Sequence, residues 1–283
     1  MSSLFQTGHD ALFGAECCCE RAARVGAESD ADLLKDFDDA FWPALRAMAI
    51  RLGTNPADHL AVFWSESRLS PRCVGVMPSS EPGAPPSGRC YAPGWVKNTV
   101  AAGLNMMTAV AMDSVGFPKA SSFAERAKMY AELPPSEQLV YVERMHEKLI
   151  PYIRGAGLGM LYVANAFPGY LATAKSGGPD TPLAKQGTPP YDGNAGADRE
   201  KKGYLTLRDL ERIASNAKND PKYQAAVRRL GSASMSPPTP GSPSAPGAPG
   251  TPPSTSGSGW RAAAFIGTGL AAIGTVVWLI RKG

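Results

Sequence analysis

A break in composition near residue 231 fixes how much of this chain can build a core. From Gly231 to Gly259 the sequence is Pro, Ser, Gly, Thr and Ala with one Met and no charged residue. Such a stretch has almost nothing to bury and cannot offset the entropy lost on ordering, which predicts an extended, disordered linker over 231–259. Beyond it, Ala262 to Ile280 is apolar except for Thr268 and Thr275, and is flanked by Trp260-Arg261 and Arg281-Lys282. At 1.5 Å per residue this run rises to about 28 Å, close to the hydrocarbon thickness of a bilayer. Trp260 and Trp278 suit the two interfaces and the basic residues suit the head groups. With a linker in front that offers no core to enter, residues 260–283 read as a single transmembrane helix. Ala263, Gly267, Ala271 and Thr275 form a small-residue stripe at four-residue spacing, the kind through which two copies pack as a homo-oligomer.

What can fold into a globule therefore lies upstream. Of 283 residues, 43% hydrophobic and 19% charged, residues 31–230 suffice for one domain, with 1–30 as an N-terminal extension. Helical spacing recurs over 31–52, 56–67, 94–116, 121–132, 136–153, 158–174, 206–217 and 220–230, while sustained apolar/polar alternation is scarce, so the fold class is mainly α.

Within the second of these runs, Asn55 is a good N-cap, Pro56 suits the first helical position, and Asp58 is placed to complete a capping box. Leu60, Ala61, Phe63 and Trp64 supply an apolar face, and Ser70-Pro71 stops the helix. Glu66 thus falls where a helix gives way to a turn. Partial burial beside Phe63 and Trp64 would keep such a carboxyl protonated near neutral pH, which is what acid cleavage of a glycosidic bond requires; a solvated Glu at a helix end is the plainer alternative.

Several segments, in order, resemble the phage-type branch of the lytic transglycosylases. Arg51-Leu52-Gly53-Thr54-Asn55-Pro56 followed by Glu66-Ser67-Arg68-Leu69-Ser70-Pro71 is similar to that family's "lG-x-P … E-S-x-x-x-P" run. Gly103-Leu104-Asn105-Met106-Met107 with Val115-Gly116 stands where the family has "G-L-x-Q-F … L-G". Ser136 to Val142 resembles "S-x-E-Q-L-x-Y-V", and Leu161-Tyr162-Val163-Ala164-Asn165-Ala166 with Pro168 resembles the aromatic-bearing helix near the cleft. The resemblance spans about residues 45 to 215 and implies a lysozyme-like helical domain acting on peptidoglycan.

It also implies roles. Glu66 would be the general acid/base at the bond between the two amino sugars, with Ser67, Asn105, Met106 and Tyr162 binding substrate. Tyr162 reads equally well as a core aromatic. The family's reaction uses one carboxylate and closes a 1,6-anhydro ring. That agrees with a chain in which the nearest downstream acids, Glu81 and Asp113, lie in no recognisable motif, where a two-carboxylate glycosidase would need a partner at about 5 to 9.5 Å. Two departures stand out: Met106 replaces the family's Gln, and the segment from Pro71 to Gly103 is long, with a Pro/Ser/Gly loop over 77–88. They support the rival reading of a catalytically inactive, lysozyme-fold structural or wall-binding protein.

Residues 198–209 have the landmarks of an EF-hand loop, with acids first (Asp198) and twelfth (Asp209) and Gly203 sixth. Lys202 at the fifth place repels calcium and removes an oxygen donor, so the loop reads as a structural turn without a metal. No cofactor is expected. His9, His59 and His146 are scattered and suggest no metal site; Cys73 and Cys90 either close the long loop as a disulfide or remain buried thiols. A net charge of +4 suits an anionic wall polymer, and no basic stripe with interleaved aromatics suggests nucleic acid. Residues 1–21 carry no run of signal-peptide character. The expectation is a single-pass membrane protein of the bacterial envelope or a phage virion, with its basic C-terminus on the cytoplasmic side.

Overall fold

The computed structural model describes residues 28–76, 99–192 and 194–232. The N-terminal extension up to residue 27, the loop 77–98 with Glu81 and Cys90, the expected linker from residue 233 onward and the expected membrane helix lie outside the described residues, while residues 231 and 232, expected as linker, are helical. Among the described residues no helix is long and apolar enough to cross a membrane.

The described chain is mainly helical. It runs through α1 (Asp30–Leu33), α2 (Phe41–Leu52), α3 (Pro56–Ser67), β1 (Val74–Val76), β2 (Thr99–Ala102), β3 (Met107–Thr108), α4 (Ala109–Ser114), α5 (Phe123–Ala131), α6 (Pro135–Glu147), α7 (Ile150–Ile153) and α8 (Leu158–Ala166). It continues through α9 (Leu171–Gly177), β4 (Pro182–Lys185), α10 (Pro189–Asp192), β5 (Tyr204–Thr206), α11 (Leu207–Ser215) and α12 (Pro221–Ser232). Strands β1, β2 and β3 form an antiparallel sheet in that order, and β4 pairs antiparallel with β5.

The run expected over 31–52 divides into α1 and α2, and that over 158–174 into α8 and α9, with Pro168 just past the end of α8. Two further helical expectations are corrected. The spacing over 94–116 predicts one helix, but residues 99–108 form β2, a turn and β3, and helix begins only at Ala109. Gly103 and Met106 both hold positive φ, which no continuous right-handed helix accommodates. The run over 136–153 also divides, because Pro151 has no N–H to continue the ladder and its ring clashes one turn back.

The core is arranged around α8, all nine of whose residues are buried. A helix apolar on every side must be enclosed, and here α3 and α11 pack against it. On α6 the buried residues Gln138, Leu139, Val142 and His146 recur at three- and four-residue intervals and face α2. Two apolar clusters result. The larger joins α2, α3, α8, α11 and α12; the smaller contains Val74, Ala102, Met107, Met112, Phe117 and Tyr130. Leu104 belongs to the larger cluster and its neighbours Ala102 and Met107 to the smaller, so this turn crosses between them.

Candidate functional site

Glu66 sits in the last turn of α3 and is half-buried. The helix is set at its start by Asn55, whose side chain accepts the Ala57 N–H at 3.0 Å, with Pro56 at the first position. Asp58 completes no capping box there; burial raises its carboxyl above the usual carboxylate range. The helix stops earlier than Pro71 requires, at Arg68, which with Leu69 adopts the left-handed conformation (φ 56° for each). Two consecutive non-glycine residues in this region cost roughly 1–2 kcal/mol each, so surrounding contacts must hold them there. Arg68 lays its guanidinium 3.8 Å over the Trp64 ring, and Leu69 is fully buried.

Buried amides tie the chain beyond Glu66 to the turn carrying Asn105 and Met106. The Gln138 side chain donates to Pro71 O at 2.9 Å and Leu133 O at 3.2 Å, and accepts Leu104 N–H at 3.0 Å. Tyr130 donates its hydroxyl to Asn105 Oδ1 at 3.2 Å, and Asn165 of α8 donates from Nδ2 to Asn105 O at 3.3 Å. The turn is tight. A Cβ at Gly103 (φ +81°) would lie 2.3 Å from Tyr130 Cε1 and 2.7 Å from Gln138 Oε1. Met106 follows at φ 52°. Among the described residues, three of the four non-glycine positions with positive φ therefore flank this region.

Of the five residues singled out from sequence, only Glu66 keeps partial exposure. Ser67 is buried and its hydroxyl donates to Phe63 O at 3.0 Å. Asn105 is 3% exposed, Met106 5% and Tyr162, inside α8, 1%. Sequence reasoning missed Gln138 and Asn165 as site residues; the available signal was a lone amide inside an otherwise apolar helical stretch, Leu158 to Ala166. Asp113, a candidate second carboxylate, is exposed and bound to Arg126 at 2.6 Å and to Lys119; these bonds hold its carboxyl below the usual range.

Several polar atoms here are buried yet lack a hydrogen-bond partner: Trp64 Nε1, Ser65 Oγ, Asn105 Nδ2 and Asn165 Oδ1. Unmade hydrogen bonds at buried groups cost roughly 1–3 kcal/mol apiece, and others occur away from this region at Asp38, His59, His146 and Arg212. One open concavity among the described residues lies elsewhere, about 390 Å³ lined by Arg46, Ile50, Pro56, Val227, Leu230 and Gly231.

The EF-hand-like loop keeps part of its frame. Asp198 accepts Lys202 N–H at 2.9 Å and Gly203 N–H at 2.7 Å, and Leu205, the eighth residue, pairs with Ala184 across the β4–β5 sheet. Asp209 caps α11 reciprocally with Thr206. Its carboxylate, however, is engaged by the Lys202 ammonium at 2.9 and 3.2 Å and by Arg212 at 3.0 Å. Burial disfavours the charged Lys202, but its bond to Asp209 and the charges of Asp209 and Glu200 outweigh that and hold its pKa above the usual lysine value. The residues do not fit calcium: the fifth-place donor is a cation and the twelfth-place acid is already neutralised. Among the described residues no group of three or more His, Cys, Asp or Glu side chains could hold a metal.

Comparison with known proteins finds no matching family model, no matching curated protein and no matching solved structure.

Proposed function

We propose that the protein is a peptidoglycan lytic transglycosylase with a lysozyme-like domain, anchored to a membrane through 260–283. Glu66 is its general acid/base, protonating the oxygen between N-acetylmuramic acid and N-acetylglucosamine and then taking a proton back as the 1,6-anhydro ring closes. The observation that carries this reading is the placement of Glu66: a half-buried carboxyl in the last turn of a helix, followed by two left-handed residues and by a segment tied through Gln138 to the turn that carries Asn105. Backbone strain concentrates where a fold gives up stability for function. Asp113 is bound to Arg126 and Lys119, in keeping with a mechanism that needs no second carboxylate. Ser67, Asn105, Met106 and Tyr162 form the wall behind Glu66 in this reading.

The test is digestion of purified peptidoglycan by the full chain and by Glu66→Gln, with mass analysis of the products. Anhydro ends from the wild type, and a loss of at least about 10²-fold in the variant with the fold unchanged, support the proposal. Reducing ends would make it a hydrolase. A wild type that releases nothing while both proteins bind the wall would establish the rival reading, a non-catalytic wall-binding or structural protein, which the buried apolar Met106 favours.

A further inference from the structure

The loop 198–209 does not fit calcium, yet it is closed by a charge all the same. An EF-hand-like loop is closed by an ion that draws the twelfth residue toward the acids at its start. In this chain a charge already stands between them: Lys202 Nζ lies 2.9 Å from Asp209 Oδ2, 3.2 Å from Asp209 Oδ1 and 3.5 Å from Glu200 Oε2. Asp209 is 1% exposed, and a carboxylate so deeply buried requires a paired charge. The ammonium is further steadied 5.6 Å from the Tyr204 ring. Lys201 takes a left-handed turn (φ 55°) just before Lys202, as does Gly203 (φ +79°) just after it.

We propose that the Lys202 ammonium is the loop's own covalently tethered cation, gathering Glu200 and Asp209 as a divalent ion would and holding the start of α11 without calcium. The consequence reaches the candidate site, because α11 packs against both α8 and the Glu66 helix α3. The inference rests on local geometry and stands whether or not the chain cleaves peptidoglycan.

The experiment uses the full chain, melted in EDTA and in millimolar CaCl₂, alongside Lys202→Met, Lys202→Asn and Lys202→Arg. The wild type should melt at the same temperature in both buffers and give no calorimetric signal on calcium titration. Lys202→Met should melt at least about 5 °C lower, calcium or not, with Lys202→Arg closer to the wild type. Lys202→Asn restores an oxygen donor at the fifth place, and calcium should recover part of its loss. Should Lys202→Met fail to fold while Lys202→Arg folds, the need for a cation is equally supported. Calcium raising the wild-type melting temperature, or Lys202→Met melting with the wild type, overturns the proposal.

Discussion

Acidification should destabilise this fold through a buried histidine pair. His59 on α3 and His146 on α6 lie with ring centroids 5.7 Å apart and planes tilted by 44°, both fully buried. His59 Nε2 lies 2.8 Å from Thr54 Oγ1; His59 Nδ1 and both nitrogens of His146 have no hydrogen-bond partner. Burial pushes His146 down to about 4 from 6.5, and burial together with His146 pushes His59 well below its ordinary value. The unfolded chain then binds more protons than the folded one between these values, so stability is fully present above pH 6.5 and is lost as pH falls toward 4. For His146 the whole gap is worth on the order of 3 kcal/mol, of which roughly 2 kcal/mol is gone by pH 5. That lowers the melting temperature by roughly 4–8 °C for a domain of this size, with His59 adding to it. Urea unfolding of the wild type and His146→Leu at pH 7.5 and 5.0 checks the claim, since carboxylate effects common to both proteins cancel. The wild type should lose about 2 kcal/mol more than the variant. Equal losses, or an imidazole resonance of His146 titrating above pH 6 in the folded protein, would refute the reasoning.

The turn beside the candidate site supplies two more expectations. Gly103→Ala places a methyl group 2.3 Å from the Tyr130 ring at a backbone angle that favours glycine, and should cost at least about 2 kcal/mol in chemical unfolding. Gln138→Leu strands the Leu104 N–H and the carbonyls of Pro71 and Leu133 inside the protein, for a loss of roughly 3 kcal/mol or more by the same measurement.

What the sequence made legible follows from how local each signal is. Asn55-Pro56 and the apolar face behind them announce α3 because a cap and a period are written within one helix. Its end was not readable: Pro71 was a visible stop, but Arg68 and Leu69 reach the left-handed region only because Leu69 is drawn into the core. The run over 94–116 shows helical spacing, yet its apolar residues serve two clusters on opposite sides, so the spacing reflects two partners rather than one helix face. That Glu66 falls at the end of a helix was legible from the cap and the stop on either side of it. The amide web around it was not, since Gln138, Asn165 and Asn105 are far apart in sequence and meet only through α6 and α8. His59 and His146 looked scattered for the same reason and proved to be neighbours.

Tyr130 spans the boundary between the two apolar clusters. Its ring packs edge-on against Phe117 and Tyr141, and its hydroxyl holds the Asn105 side chain. A single rigid phenol thus acts as a strut: the smaller cluster sets the posture of the Asn105 amide in the turn that leads to the larger one. Repacking around Phe117 therefore reaches the Asn105 side chain through one ring and one hydroxyl.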